Sequence, residues 1–409
     1  MLTAKPDLEL TPLLLEDLEL AYSIFGLREP SVLTTADEFA DMRAEWERLH
    51  DASDAGVFLS WAWLYPWHRR IGHKRHLHIV TVRNGLGALA GLLPLSIEKR
   101  PLLGTRLGPS VRRMSFLGET LVGSDYLDVI AHHDDREGIT RRLLAAVRDS
   151  GAWDVLDLND MDSRSPTLPI IEDVFGHTGY TLEWRNGPVC PYEEFQPGDT
   201  FEAFTKNLGR GETYKRRRKW LEKQEGYRIL RATSPYEMEF PLAEFFRLHA
   251  LRWRDDGGSD GITCPEVETF HRDATSYLAE RGNICLYTMM VGDRAVASFY
   301  ALMHKGKMIC YLTGRDPEWQ SRSVGTVLVG ETFRDALEMG MREYDFLRGE
   351  EAYKADWSSQ QRSLVSVRIY RPGSMGALLS KQEDALSSAR RIARKVLPAS
   401  LIQRLHSKC

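Results

Sequence analysis

From His76 to Leu95 the chain reads as a strand, a turn at Asn84 and Gly85, and a second strand carrying the small residues Ala88, Ala90 and Gly91. Turn chemistry and β-rich composition make this a hairpin. The same plan returns from Ile284 to Leu302, with the turn at Gly292 and Asp293 and with Ala295, Ala297 and Ser298 in the small positions. After the first hairpin come strands at Ser115 to Leu117 and Tyr126 to Ala131, a helix from about Arg136 to Ser150, and a strand from Trp153 to Leu158. After the second come a strand from Met308 to Thr313, a helix from about Val324 to Met339, and a strand from Tyr344 to Leu347. Gly151 and Gly340 close the two helices as C-terminal caps do. Hairpin, strand, helix, strand, occurring twice, predicts an α/β (α+β) fold of two tandem units, each with a mixed sheet flanked by helices.

The stretch between the copies, Phe201 to His271, predicts helices. Phe201, Phe204 and Leu208 have helical spacing. Tyr214 to Lys223 sets Lys215, Arg216, Arg217, Arg218, Lys219 and Lys223 around Trp220 and Leu221, and Phe245 to Trp253 forms a further helix after a break at Pro235 and Pro241. A chain of 409 residues, 43% apolar, buries more than one core. No window near the N-terminus pairs a basic stretch with an apolar run, and no segment has the roughly 18 apolar residues of a membrane span, which predicts a cytoplasmic protein. Five scattered cysteines without CxxC or His-rich spacing predict reduced thiols and no metal site. Trp61, Trp63 and Trp67 suggest either carbohydrate stacking or aromatic core; spacings of two and four, bounded by Leu64 and His68, favour the core.

Two stretches carry candidate chemistry. The strand Tyr344 to Leu347 runs directly into Arg348, Glu350, Glu351, Tyr353, Lys354 and Trp357. Ionisable groups at the end of a buried strand are costly unless they are paired or line a site. The turn Gln320 to Thr326 opens a helix that is apolar on one face, leaving backbone N–H groups free for an anion such as a pyrophosphate; Ser323 serves equally as an ordinary N-cap.

The turn before that helix, the strand with Asp345 and Arg348, and the Tyr353, Lys354, Trp357 spacing resemble the second domain of GNAT-type acyltransferases. The branch is the one holding FemAB-like aminoacyltransferases and the CelD-like proteins of polysaccharide clusters. Leu248, His249, Arg252, Trp253, Phe270 and His271 resemble its helical segment; Ser60, Trp61, Trp63 and Trp67, with Ser124, Asp125, Tyr126 and Asp128, resemble its first domain. Residues 30 to 375 are covered. The implied organisation is an extension (1–30), a first domain on the acceptor side (31–195), a second on the acyl-donor side with inserted helices over 201–280 (196–375), and a basic tail (376–409). The turn departs from the fuller Gln/Arg-x-x-Gly-x-Gly/Ala signature in having only Gly325.

The resemblance implies an acyl-CoA cosubstrate, with no permanently bound cofactor, whose pyrophosphate lies on Arg322, Ser323, Val324, Gly325 and Thr326. The acceptor would be an amine, of an amino sugar in a polysaccharide or envelope precursor or of a lipid such as a sphingoid base, contacted by Asp125, Tyr126, Asp128, Arg252, Arg348 and Trp357. An aminoacyl-tRNA donor, and a non-catalytic binding component of polysaccharide assembly, are the other readings. Acyl transfer needs proximity and a positioned cation for the developing oxyanion, the role expected of Lys354. Glu351 is the expected base, Asp345 its structural partner or alternative, Tyr353 a proton donor to the leaving group, and His249 an alternative base through its proton affinity near neutral pH. The basic 214–223 helix would meet phosphates of a donor, tRNA included, or remain a solvated face. From Lys381 to Cys409 seven Lys and Arg face two acids, a formal +5, with apolar stripes that fit peripheral membrane contact, a docking helix or a disordered end.

Overall fold

The computed structural model describes residues 26–385 apart from 103–108, 178, 208–210, 254–261, 263, 377, 380 and 383–384. Most of the basic tail lies outside the described residues. The strands are β1 (Ser31–Leu33), β2 (His76–Arg83), β3 (Leu89–Pro101), β4 (Ser110–Phe116), β5 (Ile130–Ala131), β6 (Val155–Asp162), β7 (Thr181–Glu194), β8 (Arg228–Ala232), β9 (Ile284–Val291), β10 (Arg294–His304), β11 (Lys307–Arg315), β12 (Glu343–Asp345) and β13 (Gln360–Tyr370). Both expected hairpins form, as β2 with β3 and β9 with β10. Both helices follow where the pattern put them, Arg136–Asp149 and Val324–Glu338, each ending before a glycine at positive φ, Gly151 at 62° and Gly340 at 69°. The expected strand Tyr126 to Ala131 shrinks to Ile130–Ala131, because Tyr126 takes φ 60° and leaves extended geometry. β8 falls inside the stretch read as helical.

The two mixed half-sheets join into one. Its order is β1-β2-β3-β4-β6-β13-β7-β12-β11-β10-β9-β8, with β5 on β3. In each copy the strand–helix–strand unit yields a parallel pair, β4 with β6 and β11 with β12, as a crossover helix requires. The last strands are exchanged. β7, which closes the first copy, pairs with β12 of the second, whereas β13, which closes the second, pairs with β6 of the first. β7 and β13 then pair with each other, antiparallel, from Gln360 opposite Tyr192 to Tyr370 opposite Thr181. The seam between the copies is therefore backbone hydrogen bonding.

Packing follows the same logic. One core runs across both copies, with Trp63 of the helix Trp61–Arg70 edge-on to Phe270 of the helix Pro265–Glu280 and to Tyr311 of β11. Trp61, Trp63 and Trp67 are buried there, as core and not as a stacking platform. A second core lies under the Val324–Glu338 helix, where Phe333 meets Phe195, Phe204, Tyr344 and Trp357. The basic helix Gly211–Leu221 buries Tyr214 and Leu221 against it and exposes Lys215, Arg216 and Lys219. Gly330 makes that contact possible, since an added Cβ would sit 2.2 Å from Cε2 of Tyr214. Cys190, Cys285 and Cys310 are buried free thiols. Cys264 is disulfide-bonded, against the expectation of reduced thiols throughout; chain proximity in three dimensions leaves no spacing signature.

Because each copy donates its closing strand to the other, residues 31–195 and 196–385 expressed separately should each lack cooperative unfolding, while the full chain melts in one transition. Circular dichroism melts of the three proteins test this, and an independently folded half would contradict it.

Candidate active site

β11 and β12 pair only from Lys307 opposite Glu343 to Ile309 opposite Asp345. Beyond that point β11 continues to Arg315, but the other chain turns away. The N–H groups of Phe346 and Gly349 donate to Pro191 O and Val189 O of β7, both at 3.0 Å, and Leu347 takes φ 54°. The divergence leaves a gap beside β11. A cavity of about 70 Å³ lies there, lined by Arg252, Ser298, Thr313, Gly325, Thr326 and Tyr353 among others. The helix Val324–Glu338 begins at this gap. Ser323, at φ 58°, makes no side-chain cap, so the ordinary N-cap role is not realised and the first N–H groups keep their unsatisfied dipole. Gly325 and Thr326 face the cavity, whereas Val324 is buried and Arg322 lies over the Trp220 ring at 4.0 Å.

The first copy has the same divergence after Ser115 opposite Asp157, but an ion network bridges it. Glu119 accepts from Arg113 Nη1 at 2.8 Å, Arg75 Nη1 at 2.7 Å and Ser115 Oγ at 2.8 Å on one oxygen, and from Asn159 Nδ2 at 3.2 Å on the other. Burial raises its pKa, yet Arg113 and Arg75 outweigh burial and bring it to about 2. Removing one partner of such a pair costs about 3–5 kcal/mol. Thus only the second copy keeps its gap open.

Lys354, on the short helix Ala352–Trp357, is neither exposed nor stacked on Trp357. Its ammonium is buried, donates to Arg348 O at 2.6 Å and to Leu347 O at 3.4 Å, and is ion-paired with Glu351 Oε2 at 2.9 Å. The ammonium is thus engaged by the backbone of the turn and by Glu351. Gly349, at φ 121°, is needed beneath them, because a Cβ there would lie 2.3 Å from Glu351 Oε2 and 2.9 Å from Lys354 Nζ. Tyr353 is half-buried and lines the gap.

The side chain of Arg348 points the other way, toward the first copy. Its backbone N–H donates at 2.9 Å to Asp125 Oδ2, its Nε and Nη2 also bind Asp125, and Nη2 is 3.0 Å from Asp160 Oδ2 and 3.1 Å from Ser124 O. Tyr126, Asp160 and Leu347, three of the six described non-glycine residues with positive φ, surround this pair. Such clustering of unfavourable backbone is a mark of functional sites. Asp125, Tyr126, Asp128 and Asp345 line a cavity of about 490 Å³ between the copies. Tyr126 donates to Asp345 Oδ1 at 3.2 Å, and Leu347 N–H donates to the same oxygen at 2.7 Å. Burial pushes Asp125 up to about 6 against the opposing pull of Arg348, and burial also raises Asp128 and Asp345 against Arg136 and Arg362.

The predicted residues therefore separate into two groups joined by the 346–351 turn. Tyr353, Gly325 and Thr326 line the gap, together with Arg252, whose Nη1 donates to Thr313 O at 3.3 Å, while Lys354 and Glu351 brace the turn next to it. Asp125, Tyr126, Asp128 and Asp345 gather at the larger cavity, so Asp345 is a neighbour of Arg362 and not of Lys354. Trp357 reaches neither: it is a core residue packed against Tyr214, Phe333, Phe201 and Phe204. His249 does not keep an ordinary proton affinity. It is buried against Thr313 O at 3.1 Å, and burial pushes it down to about 4. Arg362 was missed. It enters the cavity wall on β13 from the end of the chain, and the only sequence trace is an arginine at an inward position of a strand.

Residues 210–355 match the family model described as an acetyltransferase (GNAT) domain. No curated protein matches the sequence. Among solved structures, FemX superposes with TM-score 0.54 at 11% identity over 84% of this chain and 97% of that one. L-PGS from Bacillus licheniformis does so with TM-score 0.51 at 12% identity over 90% and 97%. A conserved protein of unknown function from Bacteroides thetaiotaomicron gives 0.51 at 10% identity over 83% and 100%. At these identities the likeness is one of fold.

Buried histidines make stability sensitive to acid. Burial holds His50 and His271 near about 3 and His249 near about 4. The unfolded chain binds their protons below about pH 6.5 and the native state does not, so their contribution is lost as pH falls from there toward 4. Neither ring nitrogen of His271 has a hydrogen-bond partner, so His271→Phe should be at least as stable as the parent at pH 7 and lose less stability between pH 7 and 4. Urea denaturation at both pH values decides it; equal losses would refute the assignment.

Proposed function

We propose that this chain, whose residues 210–355 form a GNAT-type acetyltransferase domain, is an N-acyltransferase that takes its donor at the β11/β12 gap and its amine acceptor in the cavity between the copies. The observation that carries the reading is the open gap of the second copy beside the ion-bridged one of the first, within the stretch the family model covers. A gap between parallel strands next to an uncapped helix N-terminus suits an acyl thioester, its carbonyl among backbone N–H groups and its diphosphate on the 323–326 turn. About 70 Å³ accommodates only the acyl end, which fits a donor lying mostly outside. The acceptor is an amino sugar of a polysaccharide or envelope precursor or a lipid amine, the setting suggested by the FemAB-like and CelD-like resemblance.

The amine must be neutral to attack the carbonyl. Asp125 is the carboxylate in the acceptor cavity whose pKa, about 6, suits removal of that proton near neutral pH. Lys354 is a positioning residue: by holding the carbonyls of Leu347 and Arg348 it fixes the turn that presents Arg348 to Asp125. A second reading keeps the fold and uses aminoacyl-tRNA as donor. The exposed Lys215, Arg216 and Lys219 of the helix packed on Val324–Glu338 favour it as a phosphate-binding face.

Native mass spectrometry of the purified chain with a panel of acyl-CoAs and bulk tRNA separates these readings. A one-to-one coenzyme A species is expected; stoichiometric tRNA would reverse the choice of donor, and retention of neither would overturn the acyltransferase reading. Asp125→Asn should lower kcat/KM by about 10²-fold or more and remove the acidic limb of the pH profile near 6. A variant that keeps that limb would place the base elsewhere.

A further inference from the structure

We infer that the acceptor carries an anionic group, a carboxylate or phosphate oxygen, beside its amine, and that Arg362 receives it. This rests on reading the cavity between the copies as the acceptor site. Arg362 is 6% exposed and lines that cavity. Its Cζ lies over the Tyr192 ring, 3.8 Å from the centroid, and 5.4 Å from that of Tyr126, which also lines the cavity. Nη2 donates to Glu343 Oε1 at 2.5 Å and lies 3.5 Å from Asp345 Oδ2, but Nε is buried with no hydrogen-bond partner. Arg136, on the first-copy wall, repeats the pattern: Nη2 is 3.3 Å from Asp128 Oδ2, and its buried Nε has no partner either.

Nε is shut off from the cavity, so a ligand oxygen would meet the guanidinium at its fork end, where Nη1 makes no hydrogen bond among the described residues. The rigid planar fork matches carboxylate and phosphate geometry, and stacking on Tyr192 fixes its orientation in advance. The charge of the lining points the same way. Five aspartates face five lysines and arginines, so a bare ammonium meets as many like charges as opposite ones. A ligand bearing both charges has partners for both.

The test is calorimetric titration of the full chain, without donor, using butylamine, 4-aminobutyrate and phosphoethanolamine as probes. At least one anion-bearing amine should bind about ten- to a hundredfold more tightly than butylamine. Which one does so distinguishes a carboxylate from a phosphate. Arg362→Gln should erase that preference and Arg362→Lys retain part of it, with thermal melts confirming that both fold; Arg136→Gln, at the edge of the cavity, gives an independent second variant that should weaken it. Equal binding of all three probes, or a preference that survives in Arg362→Gln, overturns the inference. Binding of none of them, with acyl-CoA still retained, instead overturns the assignment of the cavity as the acceptor site and the inference with it.

Discussion

The exchange of β7 and β13 is the constraint on which the rest of the molecule depends. Pairing β7 with β12 and β13 with β6 makes the boundary between two similar units a continuous hydrogen-bonded ladder. Such a seam resists the hinge motion that two domains joined by side-chain contacts would have, because opening it would leave buried backbone groups unpaired. It also carries residues across. β13 brings Arg362 to Glu343 and Asp345, and Arg368 to Asp157, so that buried acids of both copies are neutralised from one strand.

The turn after β12 shows how the exchange shapes the site. Phe346 and Gly349 bond to β7, and it is this attraction to the exchanged strand that pulls the chain away from β11 and opens the gap. In the first copy the equivalent space is spanned by Glu119 with Arg113 and Arg75, whose charges are satisfied within the protein. One plan, repeated, thus keeps an open gap in one copy and a structural brace in the other. Lys354 and Glu351 secure the turn from beneath, and Arg348 ties it to Asp125 across the boundary.

Around that turn the charges are balanced by proximity and not by solvent. Asp125 and Asp345 are buried and Asp128 is half-buried, each beside a guanidinium, and desolvation still raises their proton affinity. At Asp125 the rise reaches about 6, and at Asp128 and Asp345 the direction is the same. The histidines move oppositely. Burial pushes His249 and His271 down, so they stay neutral and behave as packed polar rings.

Turn chemistry, helix caps and the repeated order of elements were legible in the chain, because each depends on residues close in sequence: Asn84 and Gly85, Gly292 and Asp293, Gly151 and Gly340. So was the cluster from Arg348 to Lys354, since a buried strand running into charges is visible locally. The direction of each side chain was not. Whether Trp357 faces ligand or core, whether Lys354 is free or occupied, and whether His249 titrates near neutral pH depend on burial and on partners distant in sequence. Local patterns along the chain were enough to specify two similar α/β units and the places of their ionisable residues. That their closing strands change places, which opens one gap, leaves the other bridged and brings Arg362 to the cavity between the copies, emerged only in the folded chain, because strand pairing is settled by backbone hydrogen bonds between segments that no local pattern relates.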